Sequence, residues 1–457
     1  MLSWFILGVV LLASPLAALA RDLSYSSRVQ EYTLANGLKV LLLEDHKAPV
    51  TVFQVWYRVG SRNEELGKTG LSHLLEHLMF KGTEKRGPEE YSRIIQRNGG
   101  NENAFTDTDN TTYFATIASD RLDVVLDLEA DRMENLKFDE EHFVPEHQVV
   151  VEERRLRTED NPASALFELL SATAFTAHPY QWPIIGWMND LRQATREDAL
   201  AYYRSYYAPN NAFVVAVGDF SAEQLRADIE RWFGPVPAKP APPPVRAQEP
   251  AQQGERRATL RRPAELPMVA LAFHVPNLRH SDAFALEVLA SLLGDGKSSR
   301  LYHRLVYQRQ LARSVGTHYD FLTIDPGLFY VYGQPMPGKS VQELERALLA
   351  EIESVQRGPV PTTELEKVKN ALEAAFLLAQ DSLFYQALVL GQYEIAERWQ
   401  RVDDYVPGIR AVSAEDVQRV ARQYLVPDNR TVATLDPLPI AAGKRPPRNE
   451  PFGRQLH

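Results

Sequence analysis

The sequence predicts an α+β protein of two homologous domains, each a largely antiparallel sheet with helices packed on one face. The first observation is the length of the chain, because 457 residues are more than fold around a single hydrophobic core in most proteins. The second is a proline-rich stretch at 234–250, typical of a semi-rigid linker. The third is a sequence pattern that recurs on both sides of this stretch.

The repeated pattern lies near the end of each half. In the first half Thr195 opens a predicted helix, and a strand follows at 213–217. In the second half Ser413 and the segment 431–434 repeat this order at an offset of 218 positions. Both opening residues fit helix N-caps with an acid three residues on. A repeat of this length indicates duplication of a whole domain.

Each half begins with a β-rich segment, 50–59 or 268–275, that leads into helices. Helices and strands then interleave without a βαβ rhythm or a Gly-rich phosphate loop, which favours antiparallel sheets. The predicted organisation is a signal peptide at 1–20, a metal-bearing domain at 21–233, a proline-rich linker at 234–260, a second domain at 261–445 and a polar tail at 446–457.

The N-terminal segment has the pattern of a secretory leader. Residues 5–20 are apolar and end in Ala18-Leu19-Ala20, an A-x-A-like cleavage site. The run is short for a membrane span, although an uncleaved anchor stays the alternative because residues 1–4 contain no Lys or Arg. We therefore expect cleavage after Ala20, a soluble mature chain without a membrane span, and a periplasmic location.

Composition excludes several functional classes. The chain contains no cysteine, which excludes disulfides and a catalytic thiol. A net charge of −10 offers no basic field to replace phosphate counterions, so nucleic acid is not an expected partner. Apolar residues make up 44% and charged residues 24%, as in ordinary globular proteins.

The most informative motif is His73-Leu74-Leu75-Glu76-His77. On a helix, positions i and i+4 share a face, so both imidazoles can reach one metal ion. Glu76 lies beside them and can act as a base without being a ligand. Two neutral nitrogen donors and a carboxylate are the minimum for metal-assisted hydrolysis, and this spacing is that of the inverted zinc-protease motif.

A two-histidine site needs a third protein ligand, and a predicted helix at 143–155 offers candidates. Pro145 suits the first turn of such a helix. Glu146 and Glu153 are seven residues apart and share a face, which we predict to point inward because Val149 and Val150 lie on that side. In the alternative interpretation, surface ion pairs join the acids Glu146, Glu152 and Glu153 to the bases Arg154, Arg155 and Arg157.

These motifs resemble those of the pitrilysin, or M16, family of zinc metallopeptidases (the inverzincins), especially its short two-domain bacterial members related to mitochondrial processing peptidase. The resemblance covers nearly all of residues 25–440. It rests on the His73–His77 motif, followed 76 positions later by Glu153 in Val-Val-Val-Glu-Glu-Arg-Arg. The strand-like stretch Asn101–Thr106, continuing to Thr111-Thr112-Tyr113-Phe114, also matches.

The resemblance implies an M16 peptidase-like fold with one Zn²⁺ per chain, and it selects Glu153 over Glu152 as the third ligand. The roles it implies are zinc ligands His73, His77 and Glu153, the base Glu76, the supporting carboxylate Glu146, and the substrate-binding strand residues Asn103, Ala104, Phe105 and Thr106. The second half has no counterpart of the metal motif, so we expect it to cover the cleft and hold substrate.

One departure from the family concerns an Arg and a Tyr, seven apart, that catalytic assemblies carry in the zinc-free half. Val306 and Arg313 occupy those positions here, and we do not expect Arg309 with Tyr307 to substitute. The resemblance therefore implies a dimer. Our hypothesis is that this chain is the zinc-bearing subunit of a heterodimer with an Arg/Tyr-bearing M16 subunit, and a homodimer is the alternative.

The predicted function is that of an exported zinc endopeptidase that hydrolyses peptides or unfolded segments, with Glu76 activating a zinc-bound water. The alternative is a non-hydrolytic M16-like subunit that binds peptides or scaffolds a complex. The retained Glu76 favours the first interpretation, and the missing Arg/Tyr pair keeps the second open.

Overall fold

The computed structural model describes residues 24–440. The predicted leader at 1–20 and the predicted polar tail at 446–457 lie outside the described residues. The strands are β1 Gln30–Thr33, β2 Lys39–Glu44, β3 Val50–Tyr57, β4 Asn101–Thr106, β5 Thr111–Ala118, β6 Ala212–Gly218, β7 Arg256–Pro263, β8 Met268–Val275, β9 Ala312–Tyr319, β10 Gly327–Pro335 and β11 Arg430–Leu438. The helices are α1 Leu71–Leu78, α2 Glu90–Arg97, α3 Leu122–Asn135, α4 Glu140–Arg154, α5 Pro162–Ala174, α6 Met188–Gln193, α7 Arg196–Tyr206, α8 Ala222–Phe233, α9 Ala283–Gly294, α10 Val341–Arg357, α11 Thr362–Ala379, α12 Leu383–Ala396, α13 Tyr405–Ala411 and α14 Ala414–Tyr424.

Two sheets of matching topology confirm the predicted duplication. The first has the order β1-β2-β6-β3-β5-β4, and the second has the order β7-β11-β8-β10-β9. Strands β2 and β6 are parallel, as are β7 and β11, and every other described pair is antiparallel. The largely antiparallel α+β fold is therefore confirmed.

The repeated pattern has the same local structure in both halves. Thr195 caps α7 and Ser413 caps α14, each in a capping box with the acid three residues on. After each helix an asparagine side chain donates its amide N–H to the tyrosine carbonyl five residues earlier, Asn211 to Tyr206 in the first half. Asn429 makes the same bond in the second half, also at 2.8 Å.

Successive side chains of a strand point to opposite faces of the sheet, and each face packs into a separate core. In β3, Phe53, Val55 and Tyr57 pack into a core beneath the first half's own helices. Val52 and Trp56 point the other way, into a core that is shared with the second half. This period of two is expected of a sheet that is buried on both faces.

The halves are joined by an exchange of helices. Helix α12, from the second half, packs against β3 and β6 of the first sheet. Helix α5, from the first half, packs against β7, β8 and β11 of the second sheet. The buried carboxylate of Glu394 on α12 accepts hydrogen bonds from Lys39 at 3.0 Å and Arg58 at 2.6 Å. Each sheet therefore has its own helices on one face and a helix of the other half on the opposite face.

The proline-rich segment between the halves is tied to the first half. It follows α8 and contains no helix or strand until β7 begins at Arg256, so the predicted linker, 234–260, overlaps the start of this strand. The Glu249 carboxylate accepts backbone N–H bonds from Thr176, Ala177 and His178 at 2.8–3.0 Å. These bonds fix the segment against the chain that follows α5.

Between residues 24 and 440, no single helix combines the length and apolar character of a membrane span. Helices α11 and α12 reach both criteria only as a pair that is bent by 114°.

Gly391 tests the contact between the halves. It lies on α12 where a Cβ atom would overlap the buried Trp56 ring. We expect Gly391→Ala to lower the free energy of unfolding by about 1–3 kcal/mol, because overpacking outweighs the helix propensity of alanine. Gly358→Ala is the matched control, since no atom lies within 4 Å of its added Cβ. Denaturant unfolding followed by tryptophan fluorescence measures both, and equal stabilities would contradict the prediction.

Candidate metal centre

Helix α1 carries His73, Glu76 and His77, and its start is fixed by a residue outside the helix. Gly70 precedes α1 in a left-handed conformation (φ 90°) and has no side chain to cap the helix. The buried Glu64 carboxylate takes that role and accepts the N–H groups of Gly70 and Ser72, both at 2.7 Å. Free N–H groups at a helix start need such partners.

A second carboxylate, that of Asp190 on α6, holds the loop before α1. It accepts hydrogen bonds from the backbone N–H and the hydroxyl of Thr69 at 3.2 and 2.7 Å. Burial raises the pKa of Glu64 to about 8, although the N–H bonds from Ser72 and Gly70 oppose this. Two carboxylates of the first half therefore fix where α1 begins.

Helix α4 carries Glu146 and Glu153, but two predictions about it are wrong. The helix begins at Glu140, with Asp139 as its N-cap, so Pro145 lies in the second turn rather than the first. Val150 is buried as predicted, whereas Val149 is 51% exposed. The side of α4 that carries Glu153 thus adjoins open space beside His73, His77 and Glu153, which together form the metal group.

The structure brings His73, His77 and Glu153 together. One ligand atom from each lies within 4.8 Å of the others. Glu153 Oε2 is 3.3 Å from His77 Nε2 and 3.7 Å from His73 Nε2. Among the described residues this buried oxygen has no hydrogen bond of good geometry, as expected of an atom placed to ligate a metal.

Two nitrogens and one carboxylate oxygen are a donor set that suits zinc. Within residues 24–440, no other group of three His, Cys, Asp or Glu residues meets the same distance criterion. The residues present therefore fit a zinc ion, which His73, His77 and Glu153 would hold as its three protein ligands.

Charge is compensated inside this group. Burial, helped by the charge of His77, lowers the pKa of His73 to about 4. Burial opposes protonation of His77 too, but contacts with Glu146, Glu153 and Glu76 outweigh it and raise the pKa of His77 to about 9. Burial would raise the pKa of Glu153, yet its histidine and arginine neighbours lower it to about 2. At neutral pH His77 therefore carries the proton in this group.

Glu146 supports His77 through the ring nitrogen that faces away from Glu153, Nδ1. Its Oε1 is 2.7 Å from His77 Nδ1, and its Oε2 is 2.6 Å from Lys81 Nζ. Although burial acts in the opposite direction, the bonds from His77 and Lys81 keep the pKa of Glu146 below its usual value. A carboxylate on the outer nitrogen of a metal-binding histidine fixes the ring and its tautomer.

Sequence reasoning missed Lys81. Its spacing was a usable signal, because it lies four residues after His77, where both side chains can reach one carboxylate.

Glu76 lies between the metal group and the edge of the first sheet. The Thr106 hydroxyl, on β4, donates a 2.5 Å hydrogen bond to Glu76 Oε2. Burial raises the pKa of Glu76, and the bond from Thr106 opposes this rise. Among the strands of residues 24–440, β4 pairs with β5 alone and forms the edge of the sheet. It carries Asn103, Ala104, Phe105 and Thr106, so all the predicted substrate-strand residues lie on an open edge beside Glu76.

The surface ion-pair interpretation holds for part of α4. Glu152 is exposed and pairs with Arg155 at 2.7 Å. Glu153 pairs through its other oxygen with Arg157 at 2.9 Å, while Oε2 faces the histidines. Arg154 is buried and binds Glu168 with both Nη atoms, at 2.6 and 2.9 Å.

In the second half, Val306 and Tyr307 lie in a π-helical segment, Tyr302–Gln308, and Tyr307 is 72% exposed. Arg309 follows this segment, and Arg313 lies on the edge strand β9.

Comparisons with known proteins agree with this architecture. Residues 39–186 match the family described as Insulinase (Peptidase family M16), and residues 193–372 match the Peptidase M16 inactive domain. The zinc protease PqqE of Helicobacter pylori is 35% identical over 419 residues, which cover 91% of this chain and 94% of that protein. The chain belongs to peptidase family M16.

Other M16 relatives point the same way. The uncharacterized zinc protease YmxG of Bacillus subtilis is 28% identical and is aligned over 88% of this chain and 96% of its own length. A probable mitochondrial-processing peptidase subunit beta of Arabidopsis thaliana is also 28% identical, over 89% of this chain and 78% of that protein. The crystal structure of a protease from Helicobacter pylori has a TM-score of 0.87 and 34% identity, and the match covers 90% of this chain and 99% of that one.

The affinity for zinc tests whether Glu153, rather than the neighbouring Glu152, is the third metal ligand. We expect Glu153→Gln to weaken zinc binding by more than about tenfold, since loss of even an outer-shell group commonly has that effect. Glu152→Gln, one residue away and paired only with Arg155 at the surface, is the matched control. Competition with a chromophoric chelator measures both affinities. Equal loss in the two variants, or none in Glu153→Gln, would contradict the assignment.

Proton release tests the charge state of His77. Below about pH 9 its proton must leave before Nε2 can bind a metal, whereas His73 is already neutral at pH 7. We expect zinc binding to release about one proton at pH 7 and fewer above pH 9, so affinity rises with pH and then levels off. Calorimetry in buffers of different ionisation enthalpy counts the protons.

Glu146→Gln serves as the comparison for this count, because it removes one of the carboxylates that hold the proton on His77. It should release fewer protons than the unaltered chain at pH 8. A count near zero in the unaltered chain at pH 7 would refute the charge assignment.

Proposed function

We propose that this chain is an exported zinc-dependent endopeptidase that cleaves peptides or unfolded polypeptide segments, with Glu76 as its base. The observation that carries the proposal is the convergence of His73, His77 and Glu153 at one point, with the Glu76 carboxylate close enough to help raise the pKa of His77. Relatives over most of the chain's length are named zinc proteases, which supports the peptidase class.

His73, His77 and Glu153 would hold the zinc ion, and Glu146 with Lys81 would keep the His77 ring in place. Bound zinc supplies a Lewis acid that polarises a carbonyl and brings the pKa of water towards neutrality.

Glu76 supplies the proton chemistry. As base it removes one proton from the attacking water while the oxygen bonds to the carbonyl carbon. It then gives that proton to the amide nitrogen as the C–N bond breaks, which yields a carboxylic acid and an amine. The rise in its pKa on burial suits a group that must both accept and return a proton near neutral pH.

The edge strand β4 supports a polypeptide substrate. An extended chain can add to a free sheet edge through backbone hydrogen bonds, which gives affinity with little sequence demand. Asn103, Ala104, Phe105 and Thr106 would line that chain, and Thr106 couples the edge to Glu76. A peptide bond held there would lie next to the base, and unfolded segments readily take this extended conformation.

Export to the periplasm and a heterodimeric partner are also proposals. The apolar leader at 5–20, which ends in an A-x-A-like cleavage site, supports export. Val306 and Arg313, at the positions of the family's Arg and Tyr, support a partner that bears the missing pair. A single purified chain with full activity would remove the need for that partner.

Glu76→Gln tests the proposed chemistry. We expect peptide hydrolysis to fall by about 10²–10⁴-fold, because the variant lacks the base, while zinc content stays at one ion per chain. Glu84→Gln, an exposed acid outside the metal group, is the control. Cleavage of an unstructured, quenched-fluorescent peptide library measures the loss, and residual activity near the unaltered level would exclude Glu76 as the base.

A zinc-loaded, folded chain that cleaves no peptide would instead favour the binding-only subunit or an absent partner. Analytical ultracentrifugation of the same sample then distinguishes a monomer from a complex.

A further inference from the structure

A turn of the second half contacts the chain that leads into the metal-bearing helix α1. This turn, residues 320–326, joins β9 to β10, and we call it the β9–β10 turn. Its Asp325 carboxylate accepts a 2.6 Å hydrogen bond from Arg62 Nε of the first half. The same carboxylate oxygen is 3.0 Å from His178 Nε2, in the chain that follows α5. The ion pair of Arg62 with Asp325 is largely enclosed, so each charge depends on the other for compensation.

A second carboxylate ties the β9–β10 turn to the end of the edge strand β4. Asp109, which is buried in the turn between β4 and β5, accepts the backbone N–H of Ile324 at 2.9 Å. It also accepts the hydroxyl of Tyr180 at 2.8 Å, and this hydroxyl oxygen accepts the backbone N–H of Asp325 at 3.2 Å. Arg62 lies 3.7 Å from Asp109. One arginine and two carboxylates therefore join the turns of the two sheets.

Arg62 connects these contacts to the metal group. Its backbone N–H donates to the Thr108 carbonyl at 2.9 Å, so the chain around Arg62 lies against the turn between β4 and β5. Two residues later, the Glu64 carboxylate accepts the first N–H groups of α1. The turn between β4 and β5 follows Thr106, whose hydroxyl donates to Glu76. A displacement of Arg62 would therefore reach both α1 and β4.

The halves are also joined at a place that is remote from the metal group. Lys39 on β2 pairs with the buried Glu394 of α12 at 3.0 Å. Strands β6, β3 and β5 lie between β2 and β4 in the first sheet, so this ion pair contacts neither the start of α1 nor the edge strand. The two ion pairs are thus alike in joining the halves and differ in what they contact.

We propose that Arg62 and Asp325 are positioning residues for the metal group, through which the second half holds the start of α1 where its two histidines can meet Glu153. Loss of either charge leaves its partner enclosed and uncompensated, and the chain before Glu64 can then shift. The second half thus shapes the metal group although it supplies none of the three ligands. This inference rests on the proposed zinc site and not on the proposed hydrolysis.

The experiment measures zinc affinity by competition with a chromophoric chelator. We expect Arg62→Gln and Asp325→Asn each to weaken zinc binding by about 3- to 30-fold, the range in which residues without ligand contact alter binding through packed networks. Lys39→Gln is the matched control, because it also removes a cation that joins the halves, and its affinity should equal that of the unaltered chain. Asp325→Asn keeps the shape of the side chain, so it serves as the test if Arg62→Gln does not fold.

Two further measurements distinguish positioning from a general loss of stability. The visible absorption of the Co²⁺-loaded chain reports how the ligands are arranged, and it should change in both single variants but not in Lys39→Gln. Because the two residues act through each other, the double variant should bind zinc no more weakly than the weaker single variant. Arg62→Lys keeps a charge beside Asp325 and should recover part of the affinity. Circular dichroism confirms that each chain is folded.

Unchanged zinc affinity and an unchanged Co²⁺ spectrum in both single variants would overturn the inference. An equal loss in Lys39→Gln would also overturn it, because any weakened contact between the halves would then suffice. Additive losses in the double variant would show that the two residues do not act as a pair, with the same consequence. An unaltered chain that binds zinc but cleaves no peptide would refute the proposed hydrolysis alone, and the comparison of zinc affinities would still decide this inference.

Discussion

The anchoring of α1 is the constraint on which the metal group depends. Two histidines and a base must converge within a few ångströms, yet their helix has only eight residues and starts at a glycine. A helix this short is not stable by itself in water. The Glu64 carboxylate fixes its first N–H groups, and Asp190 fixes the loop before it. The positions of His73, Glu76 and His77 follow from these hydrogen bonds and from the apolar face that α1 turns towards the sheet.

The sequence predicted those features of the fold and the site that depend only on the spacing of nearby residues. The i, i+4 pair and the heptad spacing of Glu146 and Glu153 place side chains on common faces wherever a helix forms, and helices do form there. The offset of 218 likewise predicted two sheets of one design, because capping residues and the strands after them are local signals. Selecting Glu153 rather than Glu152 needed the family resemblance, since helix periodicity alone leaves neighbouring acids nearly equivalent.

Tertiary packing determined what the sequence could not predict. Helices α5 and α12 have ordinary apolar patterns, and nothing in those patterns shows that each covers the sheet of the other half. Val149 was predicted to point inward because it was placed with Val150 on the face of Glu146 and Glu153, but one helical step of 100° separates the buried Val150 from the exposed Val149. The start of α4 was predicted too late for a related reason. A proline in the second turn of a helix has almost the same sequence signal as a proline in the first turn, so Pro145 did not fix the boundary. The role of Glu64 depends on a contact across a loop, for which local patterns give no distance.

The charge balance of the metal group connects its structure with its chemistry. Three carboxyl groups, those of Glu76, Glu146 and Glu153, lie close to three cations, Lys81, Arg157 and protonated His77. His77 gives up one positive charge when a dication binds, so the group gains one net positive charge. Burial alone raises the pKa of Glu76, and an added positive charge nearby lowers it again. A bound dication would therefore favour the ionised form of Glu76, which is the form that can take a proton from water, so the metal and the base would act together.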